Sequence, residues 1–523
     1  MQKEVIKANM VVFIASFCTL VIELVAGRIM APHVGVSLYT WTSIIGVVLA
    51  GISIGAYLGG LIADRFPKPS TLGWLLFFSG VGALSISPLT NLLGATHFQT
   101  TLMIRILILT TFIFFMPSCI LGMISPVVVK LTLHNLAKTG NVVGKIYAFS
   151  TLGSIIGTFA TGFFLISWMG TRNILLCVGI ILMISALIFG GAFARKKVSA
   201  IFFAAFIVIL LSLTWAFYGY AFKAPVDDKT YFFKESNYYT LQVRKCLAKG
   251  DRGWVEALVL DHLIHSINDL HDPYYLDYEY IRIYEELMRW RMNRAGTLNT
   301  LFIGGGGYTL PRCLELMYPA AEIDVVEIDP EITRVVYEYL GLPRDTRIRS
   351  FNEDGRWFVM NSPDEGKYDF IVGDAFNDLS IPYHLTTKEF ALQMARLLKP
   401  DGILMANVID SYEKGLFMPS YIRTLEEVFG QGNVCLVSPK GDDENKGIMT
   451  RVVVASRKGV NLDDFVAFMK SQTGKSVTSH VMPQERLQQY LAERPSIILT
   501  DDYVPVDNLI APIFEERYGY RSH

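Results

Sequence analysis

Four consecutive glycines stand directly after a predicted strand and before a predicted helix: Gly304, Gly305, Gly306 and Gly307. Glycine lets the backbone turn tightly and lets a ligand approach it closely. Glu327 ends the next predicted strand, 23 residues past the first of these glycines. An acidic residue at that place in an open α/β sheet accepts hydrogen bonds from ribose hydroxyls. The pair predicts a site for an adenosine-containing cofactor; a plain tight turn and a helix N-terminal acid are the structural alternatives.

Two aspartates end further strands of the same predicted sheet. Asp354, followed by Gly355, lies where a carboxylate can accept from an adenine amino group, and an N-cap for the next helix is an equally good interpretation. Asp374 ends the fourth strand, beside the first, and so faces the reactive end of a bound cofactor. A carboxylate there can take a proton from an amine nucleophile or hold a cation, and a solvated loop acid is the structural alternative.

The elements that position these residues are strands alternating with helices. Predicted strands cover 299–303, 322–327, 346–351, 368–373 and 402–408, and predicted helices cover 309–318, 331–339, 355–361, 387–398 and 417–429. The alternation predicts a parallel, doubly wound sheet, and a hairpin pair at 433–438 and 450–455 predicts an antiparallel edge. This is the Rossmann-like α/β arrangement of class I methyltransferases. Short β-rich runs between 230 and 262 predict a small β lobe before it, followed by a helix at 276–292.

The first part of the chain has a different composition. Of the 523 residues, 51% are hydrophobic and only 18% are charged, which is too apolar for an ordinary soluble protein. Seven apolar runs are long enough to cross a bilayer core of roughly 30 Å. They lie near 11–30, 41–62, 71–95, 102–123, 147–167, 173–194 and 200–221. Small residues at helix-packing spacing, such as Gly51, Gly55 and Gly59, predict a packed multi-pass bundle rather than a lone anchor.

These patterns divide the chain into four segments. A transmembrane helical domain covers 1–222, a small β lobe with a linking helix 223–295, a methyltransferase-like domain 296–460, and a C-terminal extension 461–523. A net charge of -1 without a basic stripe argues against nucleic acid as a partner, and the bundle implies the lipid bilayer as one. The six cysteines form no C-x-x-C pair and do not lie near histidines at ligand spacing, so neither a metal site nor a disulfide framework is predicted.

Lysine and arginine in the short loops predict the orientation. Ten lie at the N-terminus and in alternate loops, against two, Arg28 and Arg172, in the opposite loops. This bias predicts a cytoplasmic N-terminus in the plasma (inner) membrane. Seven spans would then place the C-terminal half outside the cytoplasm. Adenosyl cofactors are made in the cytoplasm, which favours a cytosolic domain and a span count that is wrong by one, and both alternatives stay open.

The motifs of the C-terminal half, taken in order, resemble those of spermidine synthases and related aminopropyltransferases over roughly residues 230–460. The matching segments are 258–261 with His265 and Tyr278, the glycine turn, 326–329, Asp354 with Gly355, Asp374, and 384–390. Segments 307–312 and 499–506 resemble a branch in which this domain is fused to membrane helices, the membrane-fused spermidine synthase-like proteins.

The resemblance implies a transferase that uses decarboxylated S-adenosylmethionine or S-adenosylmethionine, an amine acceptor and no metal. It implies Asp374 as the catalytic residue and His265, Tyr278 and Asp378 as substrate-binding residues. Four positions depart from the family pattern. His262 and His265 stand where the family usually has glycine and glutamine. Gly307 stands where the family has an aspartate that helps to hold the aminopropyl amine, and Asp378 lies one residue further along than the family's second acid. Soluble relatives often self-associate, although no feature of this sequence predicts a partner surface.

Three functions remain open at the level of the sequence. The first is aminopropyl transfer to an amine, as in polyamine biosynthesis. The second is methyl transfer from S-adenosylmethionine to a small or membrane-borne substrate, which Gly307 favours. The third is transport or sensing of a polyamine or lipid by the bundle, with a regulatory soluble domain. Glu23 in the first span slightly favours the third, because a carboxylate within a bilayer is costly and commonly functional. A pair with Arg28 near the end of the helix is the structural alternative, and it is the preferred one.

Overall fold

The computed structural model describes residues 2–94, 102–133, 139–190, 227–250, 252–295, 298–375, 381–440, 447–472 and 477–518. The chain divides into two compact units. One comprises Met1–Asp227 and Lys234–Asn237, and the other comprises Asp228–Phe233 and Tyr238–His523. The first unit is helical and the second combines strands with helices.

Long helices build the first unit. They are α1 (Gln2–Val34), α2 (Leu38–Arg65), α3 (Pro69–Gly94), α4 (Leu102–Gly122), α5 (Ile124–Thr132), α6 (Thr139–Ala160) and α7 (Ile166–Phe189), with a π-helical turn at Thr161–Leu165. Within the described residues, five stretches are long and apolar enough to cross a membrane. These are Glu4–Val34, Leu38–Arg65, Pro69–Gly94, Met103–Thr132 and Thr139–Phe189.

The last stretch is broken in the middle. Its 51 residues would extend about 75 Å as one straight helix, more than twice the thickness of a bilayer core. Gly170, with φ 73° and ψ 161°, lies inside α7 and breaks the helical geometry after the first residues of that helix. α6 packs on α1, and α7 packs on α3. The stretch therefore holds two of the predicted runs, so that the described parts of six of the seven runs fall on helices. The seventh, at 200–221, lies outside the described residues.

Glycines bring the helices of this unit into close contact. A Cβ atom on Gly55 of α2 would lie 2.0 Å from the carbonyl oxygen of Cys119 on α4. A Cβ atom on Gly153 of α6 would lie 2.3 Å from the carbonyl oxygen of Phe13 on α1. Helices in lipid associate through such close packing, because lipid tails are as apolar as the side chains between the helices.

A four-stranded sheet begins the second unit, in the order β1-β2-β3-β4. Its strands are β1 (Thr230–Glu235), β2 (Thr240–Leu247), β3 (Trp254–Leu260) and β4 (Leu263–Asn268). β3 pairs antiparallel with both β2 and β4. The helix α8 (Glu279–Ala295) follows, three residues later at each end than the sequence predicts.

The larger sheet has eight strands. They are β5 (Asn299–Ile303), β6 (Glu322–Val326), β7 (Arg349–Phe351), β8 (Tyr368–Gly373), β9 (Leu398–Ser411), β10 (Val434–Pro439), β11 (Ile448–Ala455) and β12 (Ser479–Val481). The helices that follow and connect them are α9 (Thr309–Met317), α10 (Pro330–Tyr339), α11 (Gly355–Asn361), α12 (Lys388–Leu397), α13 (Phe417–Phe429), α14 (Leu462–Ser471), α15 (Gln484–Glu493) and α16 (Val506–Tyr518).

The strand order is β12-β10-β11-β9-β8-β5-β6-β7. β5 to β9 pair in parallel, whereas β11 pairs antiparallel with β9 and β10. This is the predicted class I methyltransferase-like arrangement with an antiparallel edge. The central strands β5 and β8 are buried along nearly their whole length, as parallel strands covered on both faces are.

Two details of the sheet differ from the sequence prediction. β7 has only three residues, and β12, also of three residues, comes from the segment predicted as a C-terminal extension. A three-residue strand carries too little periodicity to be recognised in a sequence, so its pairing depends on the neighbouring strand.

Gly55→Ala should destabilise the helical unit, because the added methyl group meets a backbone carbonyl that cannot move away alone. We expect a loss on the order of 1–3 kcal/mol, typical of overpacking, measured as a lower melting temperature in detergent. Gly60→Ala is the matched control on the same helix, since nothing lies within 4 Å of its Cβ position. Equal melting temperatures for the two variants would show that the close α2–α4 contact is not limiting.

Candidate active site

Two neighbouring cavities open at the carboxyl ends of the parallel strands, where open α/β sheets bind ligands. The glycine cavity, of about 130 Å³, is lined by Gly304, Glu327 and Asp354 among others. The tyrosine cavity, of about 160 Å³, is lined by Tyr278 and Tyr280 among others. The two cavities share four lining residues, which are His265, Gly304, Gly306 and Asp374. A ligand in one cavity therefore meets a ligand in the other beside Asp374.

Glu327 closes the glycine turn from the end of the neighbouring strand. One carboxylate oxygen accepts from the backbone N–H groups of Gly305 (2.9 Å) and Gly306 (3.3 Å), and the other from that of Asp329 (3.0 Å). Burial raises the pKa of Glu327 above its ordinary value, and these N–H groups offset only part of that rise. A carboxylate has about four lone-pair sites, so one is left for a ligand hydroxyl in the cavity.

The acidic residue that caps the helix after β6 is Asp329 and not Glu327. Asp329 is the N-cap of α10, since its side chain accepts from the N–H of Glu331 at 2.9 Å and Pro330 follows it. Glu327 therefore does not cap α10, and it lines the glycine cavity.

Asp354 is the N-cap of the helix that follows it and also lies in the wall of the glycine cavity. It caps α11, where its side chain accepts from the N–H of Trp357 at 2.9 Å, and it also lines the glycine cavity. Its second oxygen lies 2.9 Å from Nε2 of His384. Burial raises the pKa of Asp354, but the hydrogen bonds from Trp357 and His384 outweigh it, so the pKa lies below its ordinary value. Asp354 is therefore a stable anion at neutral pH.

Gly355 lines the same cavity, but the reason for a glycine at this position is the packing of a neighbouring residue. A Cβ at this position would lie 2.5 Å from a methyl carbon of Ile303. Packing of α11 against β5, rather than approach of a ligand alone, therefore requires glycine.

Asp374 lies where the two cavities meet and is partly exposed to them. Asn407 of β9 donates its side-chain N–H to one carboxylate oxygen at 2.6 Å, and the hydroxyl of Tyr280 also hydrogen-bonds to the carboxylate. Burial raises the pKa of Asp374 to about 6, against the lowering effect of these two bonds. A carboxyl group with a pKa this near neutrality can both take up and release a proton.

Asn407 and Tyr280 were not among the residues selected from the sequence. Asn407 is a buried polar residue within the apolar strand β9, and that mismatch is a signal a sequence search could use. Tyr280 stands in the first turn of α8, where an aromatic residue is unremarkable, so the sequence gives no comparable signal.

The three predicted substrate-binding residues have different outcomes. His265 lines both cavities. Tyr278 lines the tyrosine cavity, and its hydroxyl donates to the carbonyl oxygen of Ile264 at 2.9 Å. Asp378 lies outside the described residues.

Gly307 is held against β4 so closely that it cannot carry a side chain. A Cβ there would lie 1.9 Å from Oγ of Ser266 and 2.6 Å from Oδ1 of Asn268. Asn268 also donates to the carbonyl oxygen of Gly307 at 2.7 Å. Within the described part of the chain, Oγ of Ser266 and Oδ1 of Asn268 are buried oxygens without a hydrogen-bond partner. Neutral oxygens thus stand where the family pattern has a carboxylate.

Metal chemistry has no candidate centre in the described ranges. No group of three or more histidine, cysteine, aspartate or glutamate side chains there is arranged to hold a metal ion.

Residues 289–438 match the family described as spermine/spermidine synthase domain. This segment of the chain is therefore similar to the spermine/spermidine synthase domain. The polyamine aminopropyltransferase of Vibrio vulnificus is 37% identical over 128 residues, which cover 23% of this chain and 43% of that protein. A probable polyamine aminopropyl transferase of Bifidobacterium longum is 29% identical over 224 residues, which cover 40% of this chain and 48% of that protein.

Among solved structures, a probable spermidine synthase from Corynebacterium glutamicum is similar, with a TM-score of 0.45 and 21% identity. The alignment covers 53% of this chain and 97% of that one. The chain spans less than half the length of the two curated relatives, so the similarity describes the matched segment and not the activity of the whole protein.

Glu327→Gln should weaken binding of an adenine nucleoside. An amide would turn an N–H donor towards one of the backbone N–H groups that the carboxylate now accepts from, and the glycine turn would lose its anchor. Hydrogen bonds to charged groups contribute about 1.5–3 kcal/mol, so we expect roughly 10- to 100-fold weaker binding of 5′-methylthioadenosine in calorimetry. Glu322→Gln, at the exposed opposite end of β6, is the control. Unchanged binding by Glu327→Gln would contradict this role.

Proposed function

We propose that the protein transfers an aminopropyl group from decarboxylated S-adenosylmethionine to a small amine, and that its helices anchor this activity in a membrane. The observation that carries the proposal is the position of Asp374 where two cavities meet beside the glycine turn. Glu327 and Asp354 line one of these cavities, and Tyr278 and Tyr280 line the other. The similarity of residues 289–438 to the spermine/spermidine synthase domain supports it.

The glycine cavity suits the nucleoside part of the donor. Gly304 and Gly306 present backbone without side chains, Glu327 has a free acceptor site for a ribose hydroxyl, and Asp354 offers an acceptor for the adenine amino group. The sulfonium carries a positive charge, and Asp374 is the carboxylate nearest to both cavities. A cation beside it favours its ionised form.

The amine acceptor would enter through the tyrosine cavity. An amine arrives mainly as an ammonium ion at neutral pH, and Asp374 takes one of its protons. The freed lone pair attacks the carbon attached to the sulfonium, the C–N bond forms, and the C–S bond breaks with its electron pair going to sulfur. The products are a neutral thioether, methylthioadenosine, and a longer amine that carries the positive charge. No acid is needed for the leaving group, so orientation, worth up to about 7–11 kcal/mol in favourable cases, supplies most of the catalysis.

Methyl transfer is the second candidate, and one observation favours it. The position of Gly307 offers no carboxylate to attract the free ammonium of an aminopropyl group, because Ser266 and Asn268 occupy the space of a side chain. The same change removes a negative charge that would repel the carboxylate of intact S-adenosylmethionine. Selection between the two donors by charge is therefore weak at this end of the cavity.

Incubation of the purified full chain with each donor and a panel of amines, followed by mass analysis, tests both candidates. We expect an aminopropylated amine and methylthioadenosine from the decarboxylated donor. Asp374→Asn should lower the rate by about 10²- to 10⁴-fold, the usual contribution of a general base, while binding of methylthioadenosine stays within a few-fold of the parent. Activity of Asp374→Asn near the parent level would refute the base assignment, and a methylated product alone would replace the first candidate by the second.

The same assay has a pH signature. Burial raises the pKa of Asp374 to about 6, so the carboxylate is ionised above that pH and protonated below it. Because only the ionised form accepts a proton, kcat/KM should be level at neutral pH and fall about tenfold per pH unit below about 6. Asp374→Asn removes the ionising group, so the residual kcat/KM of this variant should not fall below pH 6 in this way. If kcat/KM of the variant falls over the same pH range as that of the parent, another group causes the fall.

We also propose that the second unit faces the cytosol, since adenosyl donors are made there. With a cytoplasmic N-terminus this requires an even number of spans before residue 227, and the run at 200–221 decides the count. In right-side-out membrane vesicles a C-terminal tag should resist added protease, and in inside-out vesicles it should be cleaved. The reverse pattern would place the domain outside and remove its donor. The transport or sensing hypothesis predicts polyamine uptake by vesicles whose Asp374→Asn protein is catalytically inactive.

A further inference from the structure

A short turn near the C-terminus, outside the matched domain at 289–438, packs onto the helices behind the glycine cavity. We call Leu499 to Tyr503 the C-terminal turn. Thr500 and Tyr503 exchange two backbone hydrogen bonds, of 3.1 and 3.0 Å, which close it. The N–H of Lys388 on α12 donates to the carbonyl oxygen of Leu499 at 2.8 Å, and Oγ1 of Thr424 on α13 accepts from the N–H of Leu499 at 2.9 Å.

From this turn, Asp501 holds Arg356 in the first turn of α11. Both carboxylate oxygens accept from the guanidinium group, the first from Nη1 at 2.8 Å and the second from Nη2. The N–H of Asp501 itself donates to a carboxylate oxygen of Glu389 at 3.0 Å. A two-point contact between arginine and carboxylate fixes the plane of the guanidinium group as well as its position.

The same guanidinium group reaches the segment that lines the glycine cavity. Nη1 of Arg356 donates to the carbonyl oxygen of His384 at 2.8 Å and to Oγ1 of Thr387 at 3.2 Å. His384 in turn places its Nε2 atom 2.9 Å from a carboxylate oxygen of Asp354. His384, Leu385 and Asp354 all line the glycine cavity, whereas Asp501 and Arg356 are not among its lining residues.

We infer that Asp501 is a positioning residue for the nucleoside of the donor: through Arg356 it holds His384 against Asp354 and so fixes one wall of the glycine cavity. This inference depends on the proposed function, because it takes that cavity to hold an adenine nucleoside. Asp354 and His384 are both more than a third exposed as side chains, so their contact needs support from outside the cavity. Arg356 links the carbonyl group of His384 itself to the C-terminal turn, beside the hydrogen bond between Lys388 and Leu499 further along the same segment.

The consequence is an effect on donor binding and not on the chemical step. Asp374, which also lines the glycine cavity, takes its hydrogen bonds from Asn407 and Tyr280. Neither of these residues bonds to Arg356 or to Asp501 in the described part of the chain. Loss of Asp501 should therefore raise the KM for the donor while kcat stays close to that of the parent.

The test is calorimetric binding of 5′-methylthioadenosine to the full chain in detergent. Asp501→Asn should bind it about three- to tenfold more weakly, the order expected when one charged hydrogen-bonded pair is lost. Asp502→Asn, the neighbouring exposed residue, removes the same charge from the same turn and should bind like the parent. Melting temperatures of the two variants, measured alongside, identify any general loss of structure.

A double-mutant cycle distinguishes positioning through His384 from a separate effect. His384→Asn should weaken binding alone, and adding Asp501→Asn to it should cause little further loss, because the two changes affect one contact. The inference is wrong if the double variant loses affinity by the product of the two single losses. It is also wrong if Asp501→Asn binds methylthioadenosine as tightly as the parent does. If the parent chain fails to bind methylthioadenosine, the proposed function and this inference fall together; if the parent binds and Asp501→Asn binds equally, only the inference falls.

Discussion

The backbones of two neighbouring parallel strands approach so closely at Gly304 that the carbonyl oxygen of Asp374 lies 2.5 Å from where a Cβ atom would stand. Gly304 also has a φ of 98°, a region that side chains disfavour. Because no side chain intervenes, the end of β8 can lie directly against the glycine turn. The N–H of Asp374 donates to the carbonyl oxygen of Ile303 at 2.9 Å and holds the two strand ends in register. The cavity on one side of Asp374 and the cavity on the other both depend on this contact.

The carboxylates that follow β6 and β8, Glu327 and Asp374, have different roles because their hydrogen-bond partners differ. Glu327 accepts from three backbone N–H groups and is therefore committed to holding the glycine turn, with limited capacity left for a ligand. Asp374 has Asn407 and Tyr280 as partners, and burial brings its pKa to about 6. The ends of β6 and β8 thus supply one carboxylate that holds the glycine turn and one that can exchange a proton.

Much of the fold could be predicted from the residues alone. The runs Leu301-Phe302-Ile303 and Phe370-Ile371-Val372 are continuous apolar strands, and strands covered on both faces have that composition. Gly304 and Glu327 could be found because their spacing reflects one strand–helix–strand unit. Asn407, His384 and Asp501 could not be assigned a role in this way. Their partners are 33, 30 and 145 residues away in the chain, and no local pattern encodes such contacts.

The sequence by itself determined that the chain has a helical part and an α/β part, and the order of its strands and helices. Both depend on the pattern of apolar residues along a continuous segment. The spacing of the glycines in the helical part is likewise a local property of the sequence. The tertiary structure alone decided that Gly170 divides a 51-residue helical stretch, and that β12 joins the sheet. It also decided that Gly307 faces Ser266 and Asn268 rather than open space. These outcomes depend on which distant atoms meet at one point, and only the packing of complete elements determines that.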